Sequence, residues 1–403
     1  MKDDDKNDKS LTPAILKLLD AGSVIYDKPA TSKDAAYMAS ELVQCTLPHK
    51  DPKNIPEWVR RNGNITLSIK AGYKNDPKDP SRRIFIGYPY GSIPRLILFW
   101  IITEAIRTKS RRLELGHSLR GFMAELGLNS SNGSSGAKRS DARRLRNQME
   151  RLFNAFFSFE GSITQDGRIG TARLNMVIAR ATMLWWSEKS PEQGALWGSW
   201  IELGEDFYNA IIAAPVPVDM RALQALKQSP VALDLYAWLA REAFFAHKNG
   251  KSRFTSFEKL HNQFGGEYAD LADFRKKAVK PALAKIKVVY PNLKLGKKQG
   301  GIEILPESLP ALQPQSVTIE GTAEPQTPPK GELSLVAGQG QGGSERPLKT
   351  TSIELFRKRY PRLDPYACKI AFDMWLAGEG KTPPDNYDAA FLGFAKKWTA
   401  GKL

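Results

Sequence analysis

Two basic runs hold the residues best suited to chemistry in this chain. The first is Lys138-Arg139-Ser140-Asp141-Ala142-Arg143-Arg144-Leu145-Arg146. Read as a helix, it puts Leu145, Met149, Leu152, Phe153 and Phe156 on an apolar face. Arg139, Arg143 and Arg146 fall on another face, with Arg144 beside them. The second run, residues 274–287, holds six basic residues and no acidic one. Phe274, Val279, Leu283 and Ile286 offer a core stripe; Arg275, Lys276, Lys277, Lys280 and Lys285 are the candidate contacts. Pro281 lies inside the helical pattern and predicts a kink or an early break. Beyond it, the turn Gly296–Gly300 places Lys297 and Lys298 at a hairpin tip. Guanidinium forks read guanine edges, and both side-chain types bond phosphates, so these residues suit a duplex groove and its backbone. A solvated basic face on a structural helix is the plainer alternative for either run. For the second run, a basic helix and a basic hairpin tip agree, which favours nucleic acid.

Other chemistries find little support. The four histidines, His49, His117, His247 and His261, form no His-x-His pair, so metal-dependent strand nicking is disfavoured. Gly250-Lys251-Ser252 ends like a phosphate loop, but Phe245 stands where the first glycine should be. Cys45 and Cys368, the only cysteines, allow neither a disulfide framework nor a cysteine zinc site. No catalytic residue, metal site or cofactor is expected. The chain is read as a binding protein and not an enzyme.

The balance of charge agrees. With 59 Lys and Arg against 43 Asp and Glu, the net charge of the 403 residues is +16. Such a surplus points to a polyanion. The longest apolar run, Leu96 to Ile102, is far short of the ~20 residues that cross a bilayer, so DNA or RNA is favoured over a membrane. The first ten residues, MKDDDKNDKS, do not read as a secretory signal. A reducing cytoplasm is the expected compartment.

The elements that must position these residues can be read in order. Leu11–Asp20 and Ser32–Gln44 predict short helices, and NITLSIKA (64–71) a strand. From Arg83 there follow a short strand, a helix with Pro94 in its first turn, the strand RRLELG and a helix over Ser118–Leu126. A long helix is predicted from about Lys138 to Phe157, then two strands around Gln165-Asp166-Gly167-Arg168. That is the order of a winged helix. The order returns between 200 and 305. Asp219 caps Met220–Lys227, Ser229 with Pro230 opens Val231–Phe245, and Thr255 or Ser256 caps Phe257–Phe264. The basic helix follows at Ala269–Lys287, then strands Val288–Leu295 and Gly301–Leu305. From Pro306 to Lys349, Pro, Gly, Gln, Ser and Thr dominate, as in a flexible linker. Aromatics return from Phe356 to Trp398.

The expected fold is therefore α+β and mostly helical. Residues 1–80 form a partly disordered N-terminal extension, 81–190 and 200–305 two tandem winged-helix domains, 306–350 a disordered linker and 351–403 a small helical module.

Five stretches carry a family resemblance: GSIPRLILFWIITEA (91–105), LGHSLRGFMAELGL (115–128), QMERLFNAFF (148–157), FYNAIIAAPVPVDMRALQALKQSPVALDLYAWL (207–239) and FRKKAVKPALAKI (274–286). Over about 84–305 the chain resembles RepA-type plasmid replication initiators. The resemblance implies binding to repeated double-stranded origin sites (iterons) by two winged helices. It also implies opening of an adjacent AT-rich segment, recruitment of a host initiator and replicative helicase, and homodimers that repress their own gene. A transcriptional repressor without an origin role would use the same faces.

Overall fold

Thr12 caps the first helix, its Oγ1 accepting from the Ile15 amide at 3.4 Å, and Pro13 takes the first helical position. The computed structural model describes residues 12–116, 119–128, 141–165, 168–184 and 198–312, plus scattered positions from 352 to 399. They fall in two compact units, within Met1–Pro329 and Lys330–Leu403.

In the first unit, α1 (Pro13–Asp27) precedes β1 (Ala35–Ala39) and the short α2 (Ser40–Gln44). The single helix predicted over Ser32–Gln44 is thus half strand: Ala35–Ala39 is wholly buried and paired. Then come β2 (Trp58–Asn62), β3 (Ile65–Lys70), β4 (Tyr73–Asn75) and β5 (Arg83–Phe85). A helix–strand–helix–helix–hairpin series follows: α3 (Ser92–Thr108), β6 (Arg112–Glu114), α4 (Leu119–Glu125), α5 (Asp141–Phe153), β7 (Phe156–Gln165) and β8 (Arg168–Val177). Next are β9 (Ala179–Met183), β10 (Trp200–Leu203), α6 (Glu205–Ala213), β11 (Pro215–Asp219) and α7 (Met220–Leu226). The series then repeats with α8 (Pro230–Asn249), β12 (Arg253–Ser256), α9 (Phe257–Phe264), α10 (Leu271–Phe274), a π turn (Arg275–Val279), α11 (Lys280–Val289) and β13 (Gly301–Ile304).

β3 lies between β2 and β7, and β8 completes a four-stranded antiparallel sheet. Leu67 stands opposite Phe159, and Phe159 opposite Leu174. Ile65, Leu67, Ile69, Phe157 and Phe159 are buried on one face, the alternation that a half-buried strand requires. Residues 58–70, expected within an N-terminal extension, therefore supply half of this sheet. β1 pairs with β11, Ala35 opposite Asp219 and Ala39 opposite Pro215. Pro215 and Pro217 fit because a two-stranded ribbon leaves open edges that need no amide. β10 lies between β6 and β9, so β6 does not reach the β7–β8 hairpin.

α3 and α8 are buried on nearly every side. Ser229 caps α8 by accepting from the Ala232 amide at 3.2 Å, and Gly250, at φ 61°, ends it. Gly250-Lys251-Ser252 is thus a helix end. Two predicted elements differ. α5 stops at Phe153, and Phe156 opens β7. Val288 and Val289 continue α11, so the strand predicted over Val288–Leu295 reduces to one bridge, Leu295 to Ile304.

After β13 the chain stays packed. Ser308 is fully buried, with its Oγ between the Lys294 amide and carbonyl, and the Tyr290 hydroxyl donates to the Leu309 carbonyl at 2.7 Å. Leu312 is also buried. The remainder of the predicted linker, from 313, lies outside the described residues. In the second unit, Phe356, Cys368, Phe372, Tyr387, Phe391 and Ala395 form an apolar cluster around α12 (Tyr387–Thr399).

Candidate nucleic-acid interface

α5 owes its place to one face. Ala142, Leu145, Met149, Leu152 and Phe153 are buried, while Arg143, Arg144 and Arg146 are exposed. Arg144 bonds Asp141 one turn back at 3.0 Å. Phe156, predicted on the apolar stripe, is 38 % exposed because the chain has already turned into β7. Arg139 lies outside the described residues. Two further α5 side chains fasten the helix: the buried Gln148 accepts from the Tyr90 amide at 2.9 Å, and Arg151 donates to the Tyr88 carbonyl at 3.1 Å.

The second basic surface is built from two elements of one series. Asp270 caps α10, accepting from the Asp273 amide at 2.8 Å. Phe274, Ala278, Val279, Ala282, Ile286 and Val289 are buried. Leu283, predicted in the core stripe, is only half-buried. Arg275, Lys276, Lys277 and Lys280 are exposed, and Lys285 is half-buried. The Arg275 guanidinium lies over the Phe257 ring at 4.6 Å, and Lys277 bonds Asp273 at 2.6 Å. At the hairpin tip, Lys297 and Lys298 are exposed, and Lys298 lies over the Phe254 ring at 4.5 Å. Gly301 lets β13 lie close against β12: a Cβ there would stand 2.1 Å from the Thr255 carbonyl oxygen. Among the described residues, Lys276, Lys280, Lys285 and Lys297 have no carboxylate partner. Such ammonium groups, held on a packed scaffold, are free to neutralise phosphates.

Of the histidines, His261 packs edgewise on Phe274 at 5.3 Å, and His247 Nδ1 donates to the Pro306 carbonyl at 3.1 Å. His117 lies outside the described residues. No three His, Cys, Asp or Glu side chains converge as metal ligands among the described residues, nor is any described helix long and apolar enough to cross a membrane.

A buried ionic node escaped the sequence reading. Arg95 of α3 is 2 % exposed and donates to Asp234 of α8 and to the Leu47, Pro48 and Gly91 carbonyls. His49 Nε2 bonds Asp234 Oδ2 at 2.7 Å, and the His49 amide donates to Glu267 at 2.6 Å. Glu267 also faces the buried Arg60 of β2 at 3.7 Å. The signal was present: Arg95 and Asp234 each stand alone inside an apolar helical run, where a charge survives only with a partner. Burial holds His49 below the ordinary histidine range, and the nearby Arg95 adds to that effect. Burial alone would raise Asp234, but Arg95 and the bonds from His49 and Arg95 outweigh it and keep the carboxyl low. The node joins α3, α8, β2 and the segments at 47–49 and 267, so it fixes the frame on which both basic surfaces are mounted.

Residues 88–257 match the family model described as plasmid encoded RepA protein. Solved structures similar to the chain include RctB domains 2-3, at 9 % identity and a TM-score of 0.38, covering 66 % of this chain and 95 % of that one. Selenomethionine derivatives of domain 2 and domain 3 of RctB match at 10 % identity and a TM-score of 0.36, covering 64 % and 94 %. No curated protein matches. The basic helix and hairpin tip at 271–304 lie past the end of the matched stretch. The matched stretch, residues 88–257, runs from just ahead of α3 to the first residue of α9, and its model is that of the family the sequence resembles.

Proposed function

We propose that this protein is a plasmid replication initiator that binds repeated origin DNA sequence-specifically through two winged helices. The repeated order helix, strand, helix, helix, hairpin supports that reading. In the first winged helix the hairpin is widened by β2 and β3 and β10 separates β6 from it. The observation that carries the proposal is the second basic surface. Arg275, Lys276, Lys277 and Lys280 on a helix, with Lys297 and Lys298 on the adjoining hairpin, could grip a major groove and its neighbouring phosphates together. Arg143, Arg144 and Arg146, with Arg139, form the first face. Two faces on one chain make the second contact intramolecular. The binding free energy can then distort DNA at a cost of about 1–10 kcal/mol. Opening would proceed without nucleotide hydrolysis by this chain, and a host initiator and helicase would be recruited to the opened strand.

Nuclease footprinting on DNA flanking the gene tests the proposal. Regularly spaced protected repeats are expected, and R275A/K276A/K277A should lose them while staying folded. Full protection by that variant refutes the second face. A plasmid carrying the repeats should replicate only with the protein; protection without replication would favour the repressor reading.

A further inference from the structure

Pro281 lies in the middle of the basic helical segment, and the backbone around it is not a plain α-helix. In an uninterrupted helix the amide of residue 281 would bond the Lys277 carbonyl; proline has no amide, and its ring presses on that carbonyl. The chain responds with a wide turn, Arg275–Val279, in which the Lys280 amide reaches back five residues to the Arg275 carbonyl. A π turn inserts one residue, which rotates everything before it by about 100° against everything after it.

That rotation decides which side chain faces the core. Downstream, Ala282, Ile286 and Val289 are buried and define the inner stripe. Continued back as plain α-helix, the stripe would take in Arg275, seven residues before Ala282 and within about 20° of it, while Phe274 would fall about 80° away. The structure has the opposite arrangement. Phe274 is 1 % exposed, packed against His261 and Tyr268, and Arg275 is exposed. One extra residue in the turn accounts for both. We infer that Pro281 is a positioning residue for DNA binding: by enforcing the π turn it turns Arg275, with Lys276 and Lys277, outward to the groove and seats Phe274 as the anchor behind them. This rests on the DNA-binding reading above.

The test uses P281A in the full chain, with binding to a repeat-bearing duplex and to an unrelated duplex at matched salt. The ratio of the two affinities should fall about tenfold, the scale of one good base contact. Loss of folded protein would lower both affinities together and leave the ratio unchanged. Hydrogen exchange should show a newly protected amide at position 281. A second pair of variants keeps the inference falsifiable should P281A fold poorly. F274R/R275F with Pro281 retained should unfold at a much lower temperature, because the π turn forces arginine inward. Adding P281A to that pair should restore the melting temperature, because the plain helix then buries the new phenylalanine. An unchanged affinity ratio in a P281A that melts like the wild type, or no rescue in the second arm, overturns the positioning role. If R275A/K276A/K277A binds like the wild type, the DNA-binding reading itself has failed, whatever P281A does.

Discussion

The Arg95 guanidinium meets the Asp234 carboxylate side-on, Nε to Oδ1 at 2.7 Å and Nη2 to Oδ2 at 2.8 Å, in a place almost closed to water. Such a pair contributes little net stability, since desolvation offsets its attraction, yet removing one partner strands the other charge. Asp234→Ala should therefore cost about 3–5 kcal/mol. R95M/D234L should be far less damaging than either single change. Urea unfolding of R95M, D234L and the double variant checks this; a double loss equal to the sum of the two single losses would show that the pair is not coupled.

Stability should also fall on mild acidification. His49 is neutral in the folded protein because burial and Arg95 disfavour its charged form. The unfolded chain takes up that proton first, below about pH 6.5, so acid favours unfolding from there downward. Asp234 does not act in this window: its folded carboxyl titrates below its ordinary range, so its contribution is lost only as the pH falls past about 3.9 and lower. Urea midpoints at pH 5, 6, 7 and 8 should drop toward pH 5 in the wild type and less so in His49→Gln.

Gly22 is where α1 meets α11. A Cβ there would stand 2.6 Å from both Val288 Cγ1 and the Val288 carbonyl oxygen. Helix propensity alone would make Gly22→Ala a gain of about 1 kcal/mol. The clash includes backbone that cannot swing aside, so a net loss of about 1–3 kcal/mol is expected. A thermal melt of Gly22→Ala decides between the two effects.

Truncation should reveal the true edges of the first unit. Deleting residues 1–80 removes β1, β2 and β3 and leaves Phe157 and Phe159 without their neighbours; the product should be insoluble. A chain ending at Leu312 should melt like the first unit of the full protein. One ending at Leu305 loses Ser308 and Leu309 from beside Lys294 and Tyr290 and should melt several degrees lower.

Binding to the repeats should weaken steeply with salt. Every phosphate left without its cation lowers the log–log slope by about 0.9, so R275A/K276A/K277A should flatten it by about two to three units. A slope that does not change would place the phosphates elsewhere.

Local signals were readable in the sequence wherever short-range physics decides. Asp219, Ser229 and Ser256 are caps, as their types and positions predict. Ile65–Lys70 alternates and is a strand. The misses share a cause, which is distance along the chain. Ala35–Ala39 is extended because β11 offers it partners far downstream, a fact no local window contains. Leu145 to Phe153 announced a helix face, but not that Phe156 would leave it for the sheet. Arg144 and Arg151 look alike in sequence; only the fold makes the second a fastener to Tyr88. Arg95 and Asp234 were individually anomalous, and it takes the packing of α3 on α8 to explain each by the other.

The β1–β11 ribbon has a consequence for synthesis. β1 leaves the ribosome roughly 180 residues before its partner, a wait of about 10–40 s at bacterial or slower elongation rates. During that wait a fully apolar pentapeptide, Ala35–Ala39, has no mate. Nascent chains should therefore be clients of holding chaperones until Pro215–Asp219 emerges, and the supply of active protein should depend on chaperone capacity as much as on transcription.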